Sequence, residues 1–162
     1  MNVLFLCTHN SARSILAEAL LNHLGGGRFH AFSAGSSPRE NQQPNPIALN
    51  VLAHAGIQTA GLRSKSWDDF AGTDAPPMDL IITVCDNAAG EVCPYWPGHP
   101  ATAHWGYADP SLAEGSDEEK RLAFMKTMLD IRRRIDLLVN LPAEKLAKAG
   151  LQTTARDLSH EH

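Results

Sequence analysis

Residues 3–14, VLFLCTHNSARS, run from an unbroken apolar stretch into small and polar residues at Cys7 and reach an arginine six positions later. A short apolar run that ends in such a turn is what a strand buried on both faces presents, and strands of that kind belong to parallel sheets covered by helices. The residues that follow supply a helix. Over 14–24, Ile15, Leu16, Ala19, Leu20 and Leu24 fall on one stripe, and Gly25, Gly26 and Gly27 stop it by offering the left-handed conformation. The alternation continues. It predicts a strand over 29–33, a helix over 46–55 with Asn45 as N-cap and Gly56 closing it, and a strand over 79–85, DLIITVC. Ser116 and Glu119 form a capping box for the longest helix, whose apolar face is predicted from Leu122, Met125, Leu129, Ile135 and Val139. The fold class is therefore α/β, a parallel sheet flanked by helices.

A chain of 162 residues suits one domain. Its predicted extent is 1–141, with 142–162 adding one short helix and a polar, aperiodic, flexible tail. A net charge of -4 provides no basic face, which argues against a nucleic-acid partner. No eighteen apolar residues run together and no basic leader precedes Val3, so no membrane association is expected and the predicted location is cytoplasmic. Three cysteines, an odd number, fit reduced thiols with chemistry to do better than a closed disulfide framework. The proline- and glycine-bearing stretch 86–104 reads as a long loop, and long loops in compact domains commonly carry function.

The first turn has a chemistry of its own. Where a strand turns into a helix, several amide N–H groups and the positive end of the helix dipole converge, and that combination binds anions. Ser11 and Ser14 are small enough to let the backbone approach a ligand, and Arg13 offers a planar fork to two oxygens of a tetrahedral oxyanion. A thiol in that field is stabilised as the thiolate, the nucleophilic form. The competing reading makes Cys7 a small core residue and Arg13 a surface one. The strand before the turn and the helix after it favour the nucleophile in an oxyanion cradle.

CTHNSARS resembles the phosphate-binding loop (Cys, five residues, Arg, then Ser or Thr) of the low-molecular-weight protein tyrosine phosphatases and of the arsenate reductases that share their fold. FSAGSSP, NPIALNVLAHAGI and HWGYADPS follow in family order. The resemblance implies a three-layer, four-stranded parallel sheet flanked by helices, with an oxyanion site built from Thr8, His9, Asn10, Ser11, Ala12, Arg13 and Ser14. It assigns the general acid to Asp109, before Pro110. A carboxyl group can supply the proton that a departing oxygen needs, although Asp-Pro is also a common turn dipeptide.

TVCDNAAGEVCPYWPG resembles the region of the arsenate reductases in which a second and a third cysteine pass a disulfide outward, which assigns that relay to Cys85 and Cys93. Ser111 follows the Asp-Pro pair where the phosphatases usually carry aromatic residues. The implied function is reduction of arsenate to arsenite, an arsenic detoxification, with Cys7 as nucleophile. Reducing equivalents would come from thioredoxin or from glutathione with glutaredoxin, and no tightly bound cofactor is implied. Some members hold a potassium ion through positions that match Asn10, Glu18 and Ser33, and His9 stands where many carry glycine. The alternatives are a tyrosine phosphatase and a thiol redox sensor without turnover. Zinc held by Cys85, Cys93, His99 and His104 is disfavoured because the cysteines are too far apart for a tight knuckle.

Overall fold

A computed structural model describes residues 1–70, 74–85 and 101–141. Four strands, β1 (Asn2–Cys7), β2 (His30–Gly35), β3 (Leu80–Thr83) and β4 (Ala101–His104), form one all-parallel sheet in the order β2-β1-β3-β4. Among the described residues three α-helices accompany it: α1 (Arg13–Leu24), α2 (Pro46–His54) and α3 (Asp117–Val139). β1 is central, and Val3 to Leu6 are fully buried because both faces of the sheet are covered. Alternation along β1 sends Val3, Phe5 and Cys7 into the larger core, which they share with α1, α2, α3 and Trp105. Leu4 and Leu6 face the smaller core with Ala34 and Ile81. Among the described residues that second face is covered by Phe32, Met78 and the 3-10 turn Trp67–Phe70, with Phe32 and Phe70 meeting edge to face.

Capping chemistry accounts for the helix starts. Asn45 accepts the Ile47 N–H at 2.8 Å ahead of Pro46 in the first turn of α2, and Ser116 and Glu119 cap α3 reciprocally. At the end of α1 the left-handed residue is Gly26, not Gly25. Gly25 is needed for space, since a Cβ there would lie 2.7 Å from the Leu21 carbonyl oxygen and 2.8 Å from Phe29 Cβ.

Several expectations are corrected. β2 starts one residue later than predicted and runs on to Gly35, while β3 is shorter than 79–85. Ala101–His104 is a strand although it falls within the predicted 86–104 loop; parallel pairing to β3, not apolar content, makes it one. The predicted face of α3 is wrong at two positions, because Leu122 and Leu129 are each 52% exposed. The buried stripe is Phe124, Met128, Ile131, Ile135 and Leu138, with Met125 and Val139 packed at its border. The predicted short helix and tail of 142–162 lie outside the described residues. No helix among the described residues is long and apolar enough to cross a membrane.

The chain leaves β1 through α1 to β2 on one side and later returns to β3 on the other. Crevices outside the carboxyl ends of strands at such a reversal are where open α/β sheets place ligands. Cys7 is the last residue of β1, and the Val84 N–H, bonded to the Leu6 carbonyl at 3.0 Å, brings Cys85 out at the same sheet edge.

Candidate active site

The loop after Cys7 is held open by its neighbours. The carbonyls of Cys7 and Thr8 accept from the Ser36 and Ser37 N–H groups at 3.1 and 2.9 Å, and that of Ser11 accepts from the Asn45 N–H at 2.8 Å. The Asn10 carbonyl accepts from the Ser64 hydroxyl at 2.6 Å. In a trans peptide the following N–H points opposite to the carbonyl, so each of these outward bonds turns an amide N–H inward. The Asn10 N–H donates to Cys7 Sγ at 3.2 Å. Asn10 itself takes the left-handed conformation at φ 55, which asparagine tolerates better than most residues. α1 begins at Arg13 without a side-chain cap, leaving its dipole end toward the loop.

A chain of hydrogen bonds orients the Cys7 side chain. The Lys65 N–H donates to Asn10 Oδ1 at 3.0 Å, which fixes the amide so that Nδ2 donates to Ser14 Oγ at 2.7 Å. The Ser14 hydroxyl is then oriented to donate to Cys7 Sγ, 2.9 Å away. Cys7, a free thiol only 3% exposed, thus has the Asn10 N–H and the Ser14 hydroxyl directed at its sulfur.

Arg13 is 6% exposed, donates from Nη1 to the Tyr107 carbonyl at 3.0 Å and places Nη2 3.7 Å from Asp109 Oδ2. Asp109 Oδ1 accepts the Ser111 N–H at 2.9 Å and the Ser111 hydroxyl at 2.7 Å, so the carboxylate caps the turn Pro110–Leu112 while facing Arg13. The turn-carboxylate reading of Asp109 is thus met, and the same side chain lies within reach of Arg13. His9 is turned outward, its Nδ1–H donating to the Ser37 carbonyl at 2.9 Å. Cys85 is fully buried and disulfide-bonded, which removes it as a zinc thiolate. Cys93 and His99 lie outside the described residues.

The low molecular weight phosphotyrosine protein phosphatase family matches residues 2–152. The chain belongs to that family. Within it, an arsenate reductase from Halalkalibacterium halodurans is 37% identical over 133 residues, covering 82% of this chain and 91% of that one. The crystal structure of an arsenate reductase from Archaeoglobus fulgidus superposes with a TM-score of 0.69 at 30% identity, over 86% of this chain and 99% of the other. A thioredoxin-dependent arsenate reductase from Corynebacterium glutamicum gives a TM-score of 0.53 at 29% identity, covering 85% of this chain and 62% of its own.

Some contributors in this family member carry little or no mark in the sequence. Gly35 lies in the quoted FSAGSSP, yet its role is spatial: a Cβ there would come within 2.6 Å of the Thr8 carbonyl oxygen and 2.9 Å of the His9 carbonyl carbon. Tyr107 contributes its backbone carbonyl, for which any residue type would serve. Lys65 comes from a segment with no motif.

The residues that match the potassium ligands of other members do not fit that ion here. Asn10 Oδ1 is engaged by a backbone N–H, and the Ser33 hydroxyl donates to Glu18. A positive charge is already present, since Lys65 Nζ lies 3.5 Å from Glu18 Oε1.

Proposed function

We propose that this chain reduces arsenate to arsenite through its three cysteines and passes the resulting disulfide to thioredoxin. The observation that carries this reading is the pairing of a free Cys7 among oxyanion donors with a disulfide-bonded Cys85 at the same sheet edge. A phosphatase regains its thiol by hydrolysis and needs no second cysteine, whereas two-electron reduction does. The arsenate reductases among the relatives support the substrate, and the thioredoxin-dependent one supports the reductant.

The proposed sequence begins when the Cys7 thiolate attacks arsenic(V) held by the loop amides, Ser14 and Arg13. An S–As bond forms, one oxygen leaves, and Asp109 gives it a proton so that it departs as water. The Cys85 thiolate then attacks Cys7 Sγ, and the S–As electron pair passes to arsenic, releasing arsenic(III) as arsenite and leaving a Cys7–Cys85 disulfide. Cys93 attacks Cys85 in turn, which frees Cys7 as thiolate and leaves a Cys85–Cys93 disulfide. A disulfide at Cys85 beside a free Cys7 matches that final oxidised stage. The dithiol of thioredoxin returns the pair to thiols and is itself oxidised.

The test is turnover by Cys93→Ser with thioredoxin, its reductase and NADPH. The variant should release about one arsenite per enzyme and stop with Cys7 joined to Cys85 by mass spectrometry, while wild type continues. Full turnover by the variant would overturn the three-cysteine relay. Wild type running only with glutathione and glutaredoxin would replace thioredoxin as the partner, and arylphosphate hydrolysis without arsenate reduction would make the chain a phosphatase.

A further inference from the structure

Glu18 and Lys65 pair beside the loop that follows Cys7, where the Lys65 N–H meets Asn10 Oδ1. Glu18, from the second turn of α1, is 13% exposed, and the Lys65 ammonium beside it is 9% exposed. A carboxylate so far removed from water needs a positive partner. It has two donors: the Ser33 hydroxyl and Lys65 Nζ at 3.5 Å, the ammonium also donating to the Arg63 carbonyl at 3.0 Å.

The same lysine is tied to the reaction centre through its backbone. Its N–H fixes the Asn10 amide that orients Ser14 toward Cys7, and its carbonyl accepts the Gly35 N–H at 2.9 Å where β2 meets the loop. Ser64, one residue earlier, holds the Asn10 carbonyl. The ammonium therefore anchors a segment whose main chain shapes the nucleophile loop. Burial lowers the affinity of Lys65 for its proton, and the neighbouring Glu18 works against that loss.

We propose that Lys65 is a positioning residue that supplies from within the chain the positive charge demanded by the Glu18–Ser33 corner, so that the nucleophile loop keeps its shape without a free monovalent cation. A tethered cation cannot be diluted away, and its charge repels a second one. Removing the ammonium while keeping Glu18 should convert the protein into one that takes up a small cation at this place. A cleft of about 440 Å³ lined by Glu18, Asn22, Ile57 and Leu62, among others, gives such an ion a path to the carboxylate.

The test compares wild type and Lys65→Met in potassium chloride and in tetramethylammonium chloride, a cation too large for the corner, at equal ionic strength of about 0.1 M. The readouts are the thermal midpoint and the rate of iodoacetamide alkylation at Cys7, followed by mass spectrometry. Wild type should give the same values in both salts. Lys65→Met should lose several degrees in tetramethylammonium and regain about 3 °C in potassium, with alkylation slowed about 10-fold and restored in parallel. The double variant Lys65→Met, Glu18→Gln should show no such recovery. The proposal is overturned if the wild-type midpoint rises with potassium, if Lys65→Met ignores potassium, or if the double variant recovers as well. Should Lys65→Met fail to fold in either salt, Lys65→Gln carries the comparison under the same criteria. The inference rests on Cys7 as the reaction centre for the alkylation readout only. Loss of arsenate turnover with the midpoint pattern intact would remove the proposed reaction and leave the assignment of Lys65 standing.

Discussion

Arg13 has two tasks that pull in one direction. Its donation to the Tyr107 carbonyl keeps the guanidinium beside the loop, and its approach to Asp109 keeps that carboxylate there too. Asp109→Asn separates the charge of that carboxylate from its structural duty, because the asparagine oxygen can still accept the Ser111 N–H and cap the turn. What it cannot do is deliver a proton to a departing oxygen. Single-turnover formation of the Cys7 adduct should slow by about 100-fold, with a thermal midpoint within about 2 °C of wild type. An unchanged rate would leave Asp109 a turn residue only. Cys7, Arg13 and Ser14 are legible in the sequence because strand, loop and helix place them within eight consecutive residues. The Tyr107 carbonyl and Lys65 are not: they reach Arg13 and Glu18 across 94 and 47 residues, and only the folded chain brings them there.

α3 shows what helical periodicity can and cannot resolve. The helix carries apolar residues on more than one face, so the sequence offers Leu122 and Leu129 as readily as the true stripe. Packing on α1 and α2 decides in favour of Phe124, Met128, Ile131, Ile135 and Leu138. Ile135→Ala should therefore destabilise by about 2–4 kcal/mol, from lost burial and the cavity left behind, whereas Leu129→Ala should change stability by less than about 1 kcal/mol. Urea midpoints for the two variants check this, and comparable losses would return Leu129 to the core. The strands follow the same logic. β1 and β3 are legible as apolar runs because both their faces are covered, while ATAH of β4 has no such run and is a strand through its pairing alone.

At the scale of the molecule, the Tyr107 side chain ties the segment that carries Asp109 to α3. The Tyr107 ring is 9% exposed and lies beneath Arg134 of α3, with the guanidinium carbon 4.9 Å from the ring centroid. Burial pushes its hydroxyl up to about 12 from the ordinary 10.0, with the Arg134 charge opposing part of that rise. In the unfolded chain the phenol ionises near its ordinary value, so between about pH 10 and 12 the folded state binds the proton and the unfolded state does not. The stability linked to Tyr107 is therefore fully present below pH 10 and is lost as the pH rises toward 12, a decline of at most about 3 kcal/mol. Tyr107→Phe removes the ionising group and leaves the ring beneath Arg134, so urea midpoints of the variant should fall less steeply than those of wild type across that window. The Tyr107 backbone carbonyl, which holds Arg13, is untouched by the change, so Cys7 alkylation at pH 7 should not move. Parallel alkaline losses in the two proteins would show that the phenol ionises as readily in the folded chain as outside it.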